Sequence, residues 1–327
     1  MADQLISVED LTVSFTTDEG RFKAVDDVSF HIGYGEVLGI VGESGCGKSV
    51  TALSMMRLIP SPPGSIDSGR ILYRDRDLLM LDKKELQDIR GRAISMIFQE
   101  PLSALSPLQK IGHQMAEVLR IHTNISAKEA LRISETWLQK VKIPDAAERL
   151  QAYPYQLSGG MQQRIMIAMA LMQSPDLIIA DEPTTALDVT TQAQVFQLIR
   201  EMKQARTSIL LITHDMGVVW DMCDRVAVMY ASRLVETGKV ADIFTRPAHP
   251  YTRGLLKSIP RLGDGSGGKL EAIAGSVPSP FNYPSGCRFR DRCPHAFDRC
   301  AAEKPEFVMV EDGHAAACFM ARRLVDA

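Results

Sequence analysis

Four groups of residues have the types and spacing that chemistry requires. Gly42-Glu43-Ser44-Gly45-Cys46-Gly47-Lys48-Ser49 has the pattern of a phosphate-binding loop. In such a loop consecutive backbone N–H groups turn inward, and the following helix offers its positive end to an anion. Glycine lets the chain approach phosphate oxygens without a Cβ in the way. Lys48 is expected to reach the β- and γ-phosphates of a nucleotide, and Ser49 to bind Mg²⁺. Gly42, Ser44, Gly45, Cys46 and Gly47 line the same cradle. Cys46 is read there as a backbone donor rather than a reactive thiol. Second, Asp181 ends the apolar run Leu177 to Ala180 and is followed by Glu182. A carboxylate at that strand end can hold Mg²⁺ through its water shell, and Glu182 is the candidate to polarise an attacking water. Third, Leu157-Ser158-Gly159-Gly160-Met161 lies between these two. Fourth, Cys287, Cys293, Cys300 and Cys318 crowd near the end of the chain.

These groups need elements to hold them. Leu11 to Phe15 and Val28 to Ile32 alternate apolar with polar residues and predict half-buried strands. Val37 to Val41 is a continuous apolar run, a buried parallel strand that feeds the glycine loop and a helix from about Lys48 to Leu58. Pro60 to Gly69 reads as a turn-rich break. From Gly112 to Leu150 apolar residues recur every three or four positions, which predicts helices. Strands are expected again at Leu177 to Ala180, Ile209 to Ile212 and Val226 to Tyr230. Pro260 to Pro280, rich in Gly, Ser and Pro, reads as a linker before the cysteine tail.

The 327 residues suggest one large domain with an appendage. A net charge of −3 does not point to a nucleic-acid surface, which would need a basic face or a high pI. No secretion signal is read at the start. The apolar run Ile165 to Met172 falls far short of the roughly 20 residues a spanning helix needs, so a soluble or peripheral protein is expected. No internal repeat is found, which leaves one nucleotide-binding unit.

Ser158-Gly159-Gly160, followed by Gln162-Gln163-Arg164 and set between a glycine loop and an Asp-Glu strand end, resembles the signature motif of ABC-type ATPases. The other motifs of that family stand in order. Gln99 in Phe98-Gln99-Glu100-Pro101 is similar to the Q-loop, Ala186-Leu187-Asp188 to the D-loop, and His214 to the switch histidine. Phe15 is the aromatic expected to stack on adenine, with Phe22 in reserve. His249-Pro250-Tyr251-Thr252 and the cysteine tail narrow the resemblance to the ATPase subunits of dipeptide and oligopeptide importers. The common signature ends in Gln where this chain has Met161, so one polar contact is lost.

The resemblance implies an α/β fold with a P-loop (RecA-like) core, an N-terminal antiparallel β subdomain, an inserted helical subdomain at about 100–158, and a small cysteine-containing C-terminal extension. It divides the chain into an ABC-type nucleotide-binding domain, 1–246, and an extension, 247–327. It implies ATP and Mg²⁺ as cofactors, with Ser49, Gln99 and Asp181 around the metal and Glu182, His214 and Gln99 acting in hydrolysis. ATP would lie between the glycine loop of one subunit and Ser158, Gly159, Gly160 and Asp188 of another. Partners would be a second, related but non-identical ATPase subunit, two integral membrane permease subunits and an external solute-binding protein, with no nucleic acid. The location would be peripheral, on the cytoplasmic face of the inner membrane. The competing class is a soluble ABC-type ATPase acting on DNA or the ribosome. Such chains carry two nucleotide units or a long coiled coil, and neither is read here.

The cysteines are separated by five, six and seventeen residues, which matches neither usual zinc pairing nor ferredoxin spacing. Four thiols meet the demand of a [4Fe–4S] centre, and Arg288, Arg290, Arg292 and Arg299 would offset its charge. The importer subgroup is similar in carrying such a tail. Zinc, or four uncoordinated thiols, are the alternatives. His295 and His314 read as surface residues.

Overall fold

The computed structural model describes residues 4–185, 188–259 and 272–325. Two compact units are present: Met1–Ile32, Glu36–Leu79 and Ile212–Ala327 form one, and Gly33–Gly35 with Met80–Leu211 form the other.

The first unit opens with long antiparallel strands. Gly20–Gly33, Gln4–Thr17, Gly64–Tyr73 and Arg76–Asp77 lie in that spatial order. Ile6 pairs with Tyr73 and Phe15 with Gly64. The predicted break at Pro60 to Gly69 is thus shorter than read, because a strand begins at Gly64. Its Ser65, Asp67 and Ser68 are polar since much of that strand faces solvent. Val37–Val41 is buried along its whole length, as its unbroken apolar run requires, and runs parallel to Arg225–Tyr230. The helix after the glycine loop spans Lys48–Met55 and stops short of the predicted Leu58.

Arg225–Tyr230 turns back antiparallel into Arg233–Lys239. That strand pairs with His314–Ala316, which pairs in turn with Val308–Glu311. The three last-named strands were not read from the sequence, and the tail ones are only four and three residues long. The C-terminal strands are therefore stitched into this unit by backbone hydrogen bonds. His314 is fully buried and bonds Glu236 at 2.8 Å, which corrects its reading as a surface residue. The buried Glu236 carboxylate also accepts the N–H groups of Ala248 and His249, the latter at 3.0 Å. It thereby anchors the chain just ahead of helix Pro250–Lys257.

In the second unit Ile94–Ile97 runs parallel to Leu177–Asp181, with Ile97 opposite Ala180, and Ser208–Ile212 lies beside the latter. The predicted helices appear as Ile111–His122, Ala127–Lys140 and Ala146–Arg149. Gly159–Leu171 and Val189–Met202 follow. Among the described residues no helix is long and apolar enough to cross a membrane. Part of the predicted linker, 260–271, lies outside the described residues.

Candidate functional site

The glycine loop follows the buried strand Val37–Val41 directly. Gly47, at φ +105°, caps the next helix in a left-handed conformation, and a Cβ there would meet the Ala24 carbonyl at 2.3 Å. A Cβ on Gly42 would meet the Met229 carbonyl at 2.2 Å. Glycine is required at both positions because backbone passes within contact distance. Ser44 and Gly45 are exposed at the crown, while Cys46 is buried and burial pushes its thiol up. A protonated, enclosed thiol suits the reading of Cys46 as a backbone contributor. Lys48 is only 5% exposed. Its ammonium donates to the carbonyls of Gly42 at 2.8 Å and Glu43 at 3.2 Å. The loop thus presents a helix N-terminus and a held cation, an arrangement able to take a phosphate.

Phe15 and Phe22 are half-buried and stack with centroids 6.0 Å apart, and Phe281 meets Phe22 edge-on at 5.0 Å. The two aromatics weighed as alternatives therefore form one cluster. His214 is exposed. It precedes helix Met216–Met222, which Asp215 caps by accepting the Gly217 N–H at 2.8 Å.

In the second unit Asp181 is buried at the end of its strand. Glu182 adopts a positive φ of 44°, uncommon for a residue with a side chain. Its carboxylate accepts a hydrogen bond from the Thr185 hydroxyl at 2.8 Å and one from the Gln99 amide at 3.4 Å. Gln99 and Glu182 are thus brought together, whereas Thr185 was missed. Its place three residues after Glu182 was the available signal. Gln163 donates to the Pro183 carbonyl, tying helix Gly159–Leu171 to the same turn.

Ser158 caps that helix and accepts the Met161 N–H at 3.4 Å. Gln162 holds the helix start by donating to the carbonyls of Pro154 at 2.8 Å and Leu157 at 3.1 Å. Ser158 and Gly159 are exposed, and among the described residues a Cβ on Gly159 would meet nothing beyond its own helix within 4 Å. Asp188 caps Val189–Met202, and the Thr191 hydroxyl and N–H hold its carboxyl below the usual range. Ala186 and Leu187, the rest of the predicted D-loop, lie outside the described residues.

Cys287, Cys293, Cys300 and Cys318 all line one small cavity of about 20 Å³, walled by Phe289, Phe297 and Phe319. None is in a disulfide. Burial pushes Cys318 up to about 11 and raises Cys287 and Cys293. Among the described residues no three His, Cys, Asp or Glu side chains are grouped as one metal ion would need. The arginines do not encircle the cavity as expected. Arg288 pairs with Asp26, Arg292 with Glu43 and Arg299 with Glu303, and of the four only Arg290 lines the cavity.

The ABC transporter family model matches residues 25–185, and the oligopeptide/dipeptide transporter C-terminal region model matches residues 235–300. The chain is 49% identical over 319 residues to the dipeptide transport ATP-binding protein DppD of Bacillus subtilis, covering 97% of this chain and 95% of that one. It is 47% identical over 319 residues to the oligopeptide transport ATP-binding protein OppD of Salmonella typhimurium, covering 97% and 94%. Among solved structures it is similar to a dimeric ATP-binding cassette in a post-hydrolysis state bound to ADP and Pi. There the TM-score is 0.64 at 26% identity, over 72% of this chain and 98% of that one. Similarity of this depth along nearly the whole length leaves one assignment: the chain belongs to the ABC-transporter ATP-binding subunits of the dipeptide/oligopeptide family.

Proposed function

We propose that this ATPase energises a membrane importer for dipeptides, oligopeptides or related small solutes, through ATP-driven closure of two ATPase subunits. The observation that carries the reading is the exposed helix start at Ser158 and Gly159, capped and anchored from behind but open in front. A helix N-terminus with free space before it can accept the γ-phosphate of a nucleotide held elsewhere. In this reading Gly42 to Ser49 cradle the phosphates, and Lys48 leaves its two carbonyls to reach the β- and γ-phosphates. Phe15 stacks on adenine. Ser49, Gln99 and Asp181 serve Mg²⁺. Glu182 orients the attacking water, held for that purpose by Thr185 and Gln99. His214 contacts the γ-phosphate, and Asp188 belongs to the face that meets the second subunit. Each ATP drives the cycle by binding the closed dimer better than the open one.

The nucleotide-binding domain is assigned to 1–246, with its helical subdomain at about 100–158, and the extension to 247–327. The assembly comprises a second, related ATPase chain, two integral permease subunits and an external solute-binding protein, and the chain works peripherally on the cytoplasmic face of the membrane. Co-purification from membranes tests this. Integral membrane subunits in stoichiometric amount support it; a wholly soluble pool associated with DNA or ribosomes overturns it.

The cysteine cavity is assigned to a [4Fe–4S] cluster, with zinc as the alternative. Four thiols on one cavity supply the four ligands a cluster takes. As they stand the four side chains are not grouped as a metal centre needs, so a cluster or a zinc ion alike would require the sulfurs to turn inward. A bound cluster would supply a covalent cross-link between the segments that carry the four cysteines. Anaerobic purification followed by iron, sulfide and zinc analysis decides the matter.

A further inference from the structure

Glu43, the second residue of the glycine loop, is held at all three of its polar groups. Its carboxylate takes a two-pronged ion pair from Arg292, with N···O distances of 2.7 and 3.0 Å. Its backbone N–H donates to the Tyr251 hydroxyl at 2.9 Å. Its carbonyl accepts from the Lys48 ammonium at 3.2 Å. The first two partners come from the C-terminal extension and the third is the phosphate-contacting lysine itself. Glu43 therefore sits mechanically between the extension and the lysine.

Both anchors are enclosed and held by further contacts. The Arg292 side chain is 5% exposed. Its remaining donors reach the Ala274 carbonyl at 3.0 Å, the Ile273 carbonyl at 3.4 Å and the Tyr230 hydroxyl at 3.4 Å. Tyr251 is fully buried. Its ring packs on Tyr230 at 4.6 Å and on Phe289 at 5.4 Å. Burial pushes the Tyr251 phenol well above its ordinary value, so it stays neutral. Tyr251 is itself placed by His249, whose Nδ1 accepts the Tyr251 N–H at 3.0 Å. An Arg–carboxylate fork fixes orientation as well as distance, so this contact sets where the loop turns.

We propose that Arg292 and Tyr251 are positioning residues for ATP binding: they fix Glu43, and through its carbonyl the resting place of Lys48, so that the extension tunes nucleotide affinity. This rests on the assignment of Gly42 to Ser49 as the phosphate loop. The Glu43 N–H, spent on Tyr251, is excluded from the donors that meet phosphate. Losing either anchor leaves the loop, and Lys48 with it, free to leave its receptive shape, which weakens nucleotide binding, while Glu182, Gln99 and His214 are not contacted by either anchor.

The test measures KM and kcat for ATP in the assembled complex, and the Kd of the full chain for Mg–ADP. The variants are Arg292→Gln, Arg292→Lys, Tyr251→Phe, Glu43→Gln and the double variant Glu43→Gln/Arg292→Gln. Arg292→Gln and Tyr251→Phe are expected to raise KM and Kd by about 5- to 20-fold, in keeping with loss of one charged or one neutral hydrogen-bonded anchor. kcat is expected to change less than about twofold, since a loop held equally in the ground and transition states contributes uniform binding. Arg292→Lys, a charge without the fork, should rescue only part of the loss. If Arg292 acts through Glu43, the double variant binds no worse than the weaker single one. The inference is overturned if KM stays within twofold in the folded variants, if kcat falls as much as KM rises, or if the two losses add. Should Arg292→Gln fail to fold, Tyr251→Phe decides alone. Lys48→Ala separates the two claims. If it too leaves affinity unchanged, the loop assignment fails; if it weakens binding while the anchors do not, only the positioning role fails.

Discussion

Two helix N-termini in this chain carry its signature chemistry, and they are finished in opposite ways. Lys48–Met55 starts from Gly47 in a left-handed conformation with no side-chain cap, and its lysine is buried against two carbonyls of its own loop. Gly159–Leu171 starts from Ser158, whose hydroxyl caps it, yet Gly159 faces open space while Gly160 lies against Thr191. Everything the first terminus needs before a phosphate arrives comes from within its own unit. The second is anchored from behind by Gln162 and Gln163. A phosphate cradle that is complete in itself, and a donor edge that is not, are what a site shared between two subunits would require.

The largest effect expected on this contrast comes from Glu182→Gln. Turnover should fall by about 10²- to 10⁴-fold while ATP still binds and draws subunits together, read by hydrolysis assay and light scattering. Turnover at the ordinary rate would remove Glu182 from the role of base. Lys48→Ala attacks the self-sufficient terminus and should weaken nucleotide binding by about 10- to 100-fold, seen by titration of the single chain. Unchanged affinity would break the idea that this cradle is complete on its own.

A third effect lies elsewhere in the same unit. Burial would raise the Asp26 pKa, but hydrogen bonds from Lys23 and Arg233 and the charges of Arg233 and Arg288 win and hold it at about 2. The folded value lies below the ordinary 3.8, so the stabilisation is full above that pH and is lost as pH falls toward 2. Asp26→Asn should cost roughly 2 kcal/mol at neutral pH, and the gap in denaturation midpoint should close through that acid window. A gap that persists unchanged at pH 2 would contradict the ion-pair account. The smallest effect is Ser158→Ala on stability, about 1 kcal/mol for a lost cap, with single-chain nucleotide affinity unchanged. A drop in that affinity would mean that Ser158 serves its own chain's nucleotide.

Sequence made the first terminus more legible than its supports. The glycine loop, Asp181 and Glu182 stand in contiguous patterns next to apolar strands, so type and spacing revealed them. Arg292 lies 249 residues from its partner Glu43, and no local pattern could join them; charge near the cysteines suggested a different duty for it. The strands Val308–Glu311 and His314–Ala316 escaped because each is too short to show alternation; the second pairs with a strand some eighty residues earlier, and the first pairs only with the second. His314 looked like a surface residue because the buried carboxylate that receives it, Glu236, is equally remote. Phe15 and Phe22 read as alternatives because strand alternation places them without showing that they stack.

The most direct measurement is ATP hydrolysis per chain over a wide range of protein concentration, for the unaltered chain and for Ser158→Ala, alone and in the assembled complex. A shared site predicts that specific activity vanishes on dilution, recovers in the complex, and there drops when Ser158 is lost. Constant activity down to the most dilute monomer, indifferent to Ser158, would contradict it.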